Sequence, residues 1–328
     1  MKIGQILTRR EILVGGVMAG VSGLINSRAV LATASQPQTK VTFDVPPRAT
    51  DCAVHVYEPK RFPYWEGRSY TPEPATLAEL RQLLQTLKLE RVVVVQATSY
   101  GTDNTCVVAS IRELGNRARG VAIIDEHTPE TSLDDMHRAG VRGVRLTLNN
   151  LATTDLAAAR ARLKMTIDRL RTRKNWSLQL SANAVTYEIL REELMGMPMT
   201  LVVDHFGQVQ AAQGVGQRGF SAVLELVKSG NAYVKISNPH SISRQPDLSD
   251  VAPFAKALIA ANPQRVVWGT AWPHPTAGSA RKPTDLSPHQ QIDDGRAMNM
   301  LPVWVPDAAT RKMILVDNPA RLYEFQGS

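Results

Sequence analysis

The chain has 328 residues, 43% of them hydrophobic and 5% aromatic, with a formal net charge of +8. That balance is mild, and no Lys/Arg run interleaved with aromatic residues occurs, so nucleic acid is excluded as a partner; with no Gly-rich phosphate loop, nucleotide binding has no support either. The two cysteines, Cys52 and Cys106, do not make a disulfide framework, although an oxidising compartment would let them pair.

The first 34 residues have the layout of an export signal. Thr8-Arg9-Arg10-Glu11-Ile12-Leu13 resembles the twin-arginine pattern, the stretch from Leu13 to Ile25 is apolar, and Ala32-Thr33-Ala34 makes a small-x-small cleavage site. The apolar stretch is shorter than the roughly 20 residues that span a bilayer. The expectation is a periplasmic protein with no stable membrane association after cleavage. Residues 35–45, polar and Pro-containing, read as a flexible arm, and 46–328 as a single domain.

Along that domain, short β-branched runs alternate with helical patterns. Strands are predicted at 50–57, 91–97, 120–125, 142–148, 176–181, 200–204, 232–237 and 265–270. Leu77, Leu80, Leu84 and Leu87 share one helical face, with a capping box predicted from Thr76 and Glu79. Further helices are predicted at 105–116, 131–138, 155–173, 185–195, 219–229, 249–261 and 307–325. Buried strands alternating with helices imply a parallel sheet, and repeated right-handed crossovers close it into an α/β (β/α)8 TIM barrel; an open doubly wound sheet is the alternative.

In such barrels the reacting groups sit at the C-terminal ends of the strands. Read there, the sequence offers His55, then Thr98 and Asp103, Asp125, Arg145, Ser181, Asp204-His205, then Ser237 with His240 and Arg244, and finally His274. Four of the seven histidines fall at these ends, which favours a site over scattered structural imidazoles. Asp204 reads as a structural carboxylate, because neighbouring strand residues point to opposite faces.

The segments TDCAVHVYEP, VVVVQATSYGTDN, GVRGVRL, VVDHFG, VVWGTAWPHP and MILVDNPARLY, in this order, resemble the amidohydrolase-related family of barrels, which includes lactonases and lactone isomerases. The resemblance implies histidines at the first and sixth strands that polarise a lactone carbonyl, matched here by His55 and His205, and an aspartate at the eighth that activates water. Two positions depart from it: Ala53 stands for the first histidine of a His-x-His pair and Ala271 for the aspartate. With these gone, too few ligands remain for a catalytic metal, and no cofactor is expected.

Loss of the aspartate leaves His274 or His240 as candidate proton carriers. The resemblance also implies substrate contacts from Arg145, Tyr70, Thr98 and Ser181, with Arg244 a displaced contact, while Leu151 and Ser241 stand where further arginines are usual. The expected activity is metal-independent hydrolytic ring opening or ring isomerisation of a small carboxylated lactone. The alternative is a catalytically silent periplasmic binding protein that kept the barrel.

Overall fold

Eight runs rich in Val, Ile and Leu become parallel strands: β1 (Thr50–Val54), β2 (Arg91–Val95), β3 (Ala118–Ala122), β4 (Val141–Asn149), β5 (Ser177–Ala182), β6 (Leu201–Val203), β7 (Ala232–Ser237) and β8 (Val266–Gly269). This is a computed structural model, and it describes residues 34–276 and 282–326. All of the predicted export signal except Ala34 lies outside them. Each strand pairs with the next in chain order. The seam between β8 and β1 closes just beyond the strand ends, where Ala271 N–H donates to Ala53 O (2.7 Å) and His55 N–H to Trp272 O (2.9 Å). The architecture is therefore a (β/α)8 barrel. Gly269 is needed at that seam, since a Cβ there would lie 2.7 Å from the Ala53 nitrogen.

The predicted helices and the observed ones differ where proline or a kink intervenes. The helix Leu77–Thr86 starts with the Thr76–Glu79 capping box. The stretch at 185–195 is two helices, Ala184–Ile189 and Arg191–Met195, parted at Leu190. At 307–325 the chain runs through Ala308–Lys312, a π-helical turn at Met313–Asp317 and a last helix, Asn318–Tyr323, with Pro319 in its first turn. Proline has no N–H for the regular ladder, and the π turn absorbs the break. The first strand stops at Val54 because its neighbour leaves the sheet at Trp272-Pro273, where again no N–H continues the pairing.

Cys52 packs inside the barrel with Val93, Val267 and Tyr323, while Cys106 belongs to the layer between sheet and helices. Both are buried, free thiols, so the pairing that an oxidising compartment would permit is not made. The arm expected to be flexible is tied down instead. The Ser35 carbonyl accepts from Trp272 Nε1 (2.9 Å), Asp293 accepts from the backbone N–H groups of Gln38 and Thr39, and Asn299 bonds Thr42 and Lys40. Its polar residues are hydrogen-bond partners of the barrel's loops, which is why composition alone made it look loose.

Candidate active site

A cavity of about 280 Å³ opens at the C-terminal ends of the strands, lined by His55, Tyr70, Thr98, Arg145, Ser181, His205 and His274 together with Ala271. A narrow recess beneath it reaches Ala53, Gln179 and Asp204.

His55 follows β1 directly, and its Nδ1 lies 2.8 Å from the Val95 carbonyl. A carbonyl only accepts, so Nδ1 carries the ring proton and Nε2 keeps its lone pair. Burial first, and then the nearby Arg145 guanidinium, pull the His55 pKa down to about 3, which keeps the ring neutral. Nε2 can therefore accept a hydrogen bond but cannot donate one to a carbonyl. The role that the resemblance implied for His55 does not fit this geometry.

His205 lies just past β6, with Nδ1 2.8 Å from Ser237 Oγ. Burial lowers its pKa to about 4. When the Ser237 hydroxyl donates to Nδ1, the proton sits on Nε2 and the ring becomes a donor. The backbone at His205, Phe206 and Gln208 is left-handed, with φ of 47°, 56° and 49°. Strand alternation ends at Val203, and Asp204 and His205 both line the recess. Asp204 is thus part of the site's electrostatics, correcting the alternation argument.

Asp204 is completely buried and meets two fixed cations. Arg145 Nε donates to its Oδ2 (3.2 Å), Lys235 Nζ is 3.8 Å from Oδ1, and Gln179 Nε2 donates to both oxygens. Burial alone would raise its pKa; the neighbouring His205, Arg145 and Lys235 and the Gln179 bond outweigh it and bring it to about 2. Lys235 in turn donates to Gln179 Oε1 (2.7 Å), and burial lowers its pKa. Sequence reading missed this base because Gln179 and Lys235 sit within strands, where a polar residue carries no motif.

Arg145 also donates from Nη2 to Ser181 Oγ (3.3 Å), which accepts from Gln208 Nε2 (2.9 Å) as well. Its Nε–Nη2 edge is engaged, and among the described residues Nη1 has no partner. Tyr70 is buried against Tyr57, their hydroxyls 3.3 Å apart. Thr98 opens a short 3-10 turn at the end of β2.

His274 is 3% exposed, its Nε2 lying 3.0 and 3.1 Å from the Asp294 carboxylate oxygens. Its Nδ1 is buried without a partner among the described residues. No strand-end pattern pointed to Asp294, which comes 20 residues later at the start of the helix Asp294–Met298. His240 sits on the four-residue helix Pro239–Ile242 outside the cavity lining, with Nε2 also buried and unpartnered among the described residues. Arg244 does not line the cavity: the chain turns outward at Ser243, leaving Arg244 exposed with its backbone N–H on Asp250. Asp103 and Asp125 serve local turns, accepting from Thr105 and from His127 and Thr128.

A metal ion at this mouth would meet alanine at 53 and 271, the cation of Arg145 close by, and an Asp204 already engaged. Among the described residues no three His, Cys, Asp or Glu side chains converge to hold one. The donor set does not fit a catalytic metal, which needs about three protein ligands.

Residues 50–325 match the family described as Amidohydrolase. The 2-pyrone-4,6-dicarboxylate hydrolase of Comamonas testosteroni is 34% identical over 303 residues, covering 89% of this chain and 94% of its own. The D-galactarolactone isomerase of Agrobacterium fabrum is 30% identical over 287 residues, covering 85% and 92%. A solved apo structure of an Agrobacterium tumefaciens protein, 26% identical, superposes with a TM-score of 0.73 over 89% of this chain and 99% of that one.

Proposed function

Because the chain belongs to the amidohydrolase family, we propose that it is a metal-independent enzyme acting on a small carboxylated lactone, and that its reaction is movement of the ring between two hydroxyls of the substrate. The observation that carries this reading is the joint lining of one cavity by His55, Arg145, His205 and His274 with Ala271 at the end of the eighth strand. Groups able to hold a developing oxyanion and take a proton are retained, while the carboxylate position that would activate water is an alanine.

The lactone carbonyl oxygen points at Arg145 Nη1 and the Nε2–H of His205, donors aimed where negative charge develops. A substrate hydroxyl attacks the carbonyl carbon, and its proton passes to His274. Collapse of the tetrahedral intermediate breaks the original ring C–O bond, and the departing alkoxide recovers that proton. One C–O bond forms, one breaks, and no water is consumed. The Nε2 lone pair of His55 accepts from a neighbouring substrate hydroxyl and orients the ring. The neutral hydroxyls and amides of Tyr70, Thr98, Asn238 and Gln290 are left for the remaining hydroxyls and the single carboxylate.

The test is incubation with D-galactarolactone and with 2-pyrone-4,6-dicarboxylate, following acid release and ring-isomer NMR signals together. Exchange of ring signals without acid is the expected result. Acid release would overturn the isomerisation half in favour of hydrolysis, and inertness toward a wider lactone panel, combined with measurable lactone binding, would replace the enzyme by a binding protein. Ala271→Asp should then add hydrolysis: φ at 271 is 70°, a conformation Asp tolerates better than most residues, and a positioned base contributes roughly 100- to 10,000-fold.

A further inference from the structure

Asp294 has no place in the strand-end pattern, yet it is 1% exposed and its carboxylate faces one ring nitrogen of His274 with both oxygens. We propose that Asp294 is the positioning residue for proton transfer, holding His274 as its Nε2–H tautomer so that the Nδ1 lone pair faces the cavity and takes the substrate proton.

An ionised carboxylate only accepts, so the shared proton belongs to Nε2, and a neutral ring must then carry a lone pair at Nδ1. That atom is buried and unpartnered among the described residues. A buried polar atom without a partner costs about 1–3 kcal/mol, a cost that a substrate hydroxyl meeting Nδ1 would remove. His274 lines the cavity and its Nε2 is taken by Asp294, which leaves Nδ1 as the ring nitrogen that a substrate hydroxyl would meet. Once Nδ1 takes the proton, the imidazolium lies against the Asp294 carboxylate, which stabilises the charge without itself becoming protonated.

The dyad is held from both sides. His274 sits at φ 60°, directly after the Trp272-Pro273 step that the Ser35 carbonyl anchors. Asp294 begins its helix beside Asp293, whose carboxylate caps Gly295 and Arg296 and is clamped by Thr39. The other titratable groups around His274 are His205, His240 and His289. His205 is kept neutral by burial, and burial likewise lowers the pKa values of His240 and His289. Asp294 is the carboxylate in hydrogen-bond contact with the ring.

This inference names the proton carrier of the reaction proposed above and rests on that reading, but its test does not need turnover. Histidine-labelled 15N NMR on the ligand-free protein reads the tautomer directly, with His274→Gln assigning the signal. The expected result is the Nε2–H form of His274 in the wild type at pH 8, and in Asp294→Ala, where the acceptor is gone, a mixture of the two ring tautomers. An Nδ1–H ring in the wild type would overturn the proposal, as would the same single tautomer in the variant. The wild-type reading stands even if the variant does not fold.

On D-galactarolactone, Asp294→Asn should lose about 100- to 10,000-fold in kcat with KM changed by no more than about threefold, and Asp294→Glu, which keeps the charge, should recover part of it. Equal kcat in wild type and Asp294→Asn would also overturn it. Should no lactone be turned over at all, the proposed function fails while the two NMR readings still decide the dyad.

Discussion

The Val95 carbonyl takes the only ring proton of His55, and the Asp204 carboxylate and Ser181 hydroxyl take Nε and Nη2 of Arg145. Between them these contacts leave Arg145 Nη1 and His205 as the groups able to hold an oxyanion. Replacing Arg145 by Gln should therefore lower kcat on an active lactone by about 100- to 1,000-fold with a smaller effect on KM, while Asp204 stays ionised through Lys235 and Gln179; steady-state kinetics on D-galactarolactone checks it, and an unchanged kcat would remove Arg145 from the oxyanion site. A second residue-level expectation concerns Asp51, which accepts from the backbone of Ala53 and Thr270 and from the Thr270 hydroxyl. Burial outweighs those bonds and raises its pKa from 3.8 to about 7. The folded state then binds a proton that the unfolded state releases, so its contribution to stability is fully present below pH 3.8 and is lost as pH rises through 7. Asp51→Asn has no such proton. The Tm of the variant minus that of the wild type should climb between about pH 4 and pH 7, and a flat difference would show that Asp51 titrates as an ordinary carboxylate. His55 and His205 were legible in the sequence because each follows the end of a strand, and Arg145 because it lies within the fourth strand in a segment that carries the family resemblance. Their roles were not, since a tautomer depends on a carbonyl 40 residues away and a guanidinium's free edge on a carboxylate from another strand.

Among the elements, the short helix Asp294–Met298 carries the site's least visible member, and Gly295 explains how it comes so close to the N-terminal segment. A Cβ at Gly295 would stand 1.9 Å from the Thr39 carbonyl oxygen, a backbone atom with no flexible end to move. Gly295→Ala should cost about 1–3 kcal/mol as an overpacking change and should lower activity as well, because the helix that shifts holds Asp294. Thermal unfolding and kcat measured together test this, and a variant with normal stability and normal activity would show that the contact relaxes freely. Periodicity revealed the strands and the Leu77–Thr86 helix because one face of each is buried. It revealed neither the breaks at Leu190 and Met313 nor this five-residue helix, whose length is too short for a 3.6-residue period to register.

At the scale of the whole molecule, alternation of strand and helix makes the barrel legible, but contacts between distant segments leave no local trace, and the arm is the clearest case. Its residues from Ser35 to Thr42 bond Glu79 in the helix Leu77–Thr86, Trp272 beyond the eighth strand, and Asp293 and Asn299 at the two ends of the helix Asp294–Met298. We propose that export ends with a cut after Ala34, which would leave Ser35 as the first residue, so that the mature chain begins with the residue whose carbonyl holds Trp272. N-terminal sequencing of periplasmic extract should read Ser35, and full-length protein in the cytosol would refute the export proposal. The arm itself can be tested apart from export by comparing a chain that begins at Ser35 with one that begins at Asp44. The shorter chain leaves the buried Trp272 indole N–H without its acceptor, a loss of about 1–3 kcal/mol from that bond alone, and releases Asp293 from Thr39. Since roughly 1 kcal/mol shifts Tm by about 2–4 °C in a domain of about 150–250 residues, a drop of several degrees is expected. A loss of activity should accompany it, because the strap bears on both ends of the His274–Asp294 pair. Equal melting temperatures for the two chains would mean that the segment merely lies on the barrel and holds nothing in place.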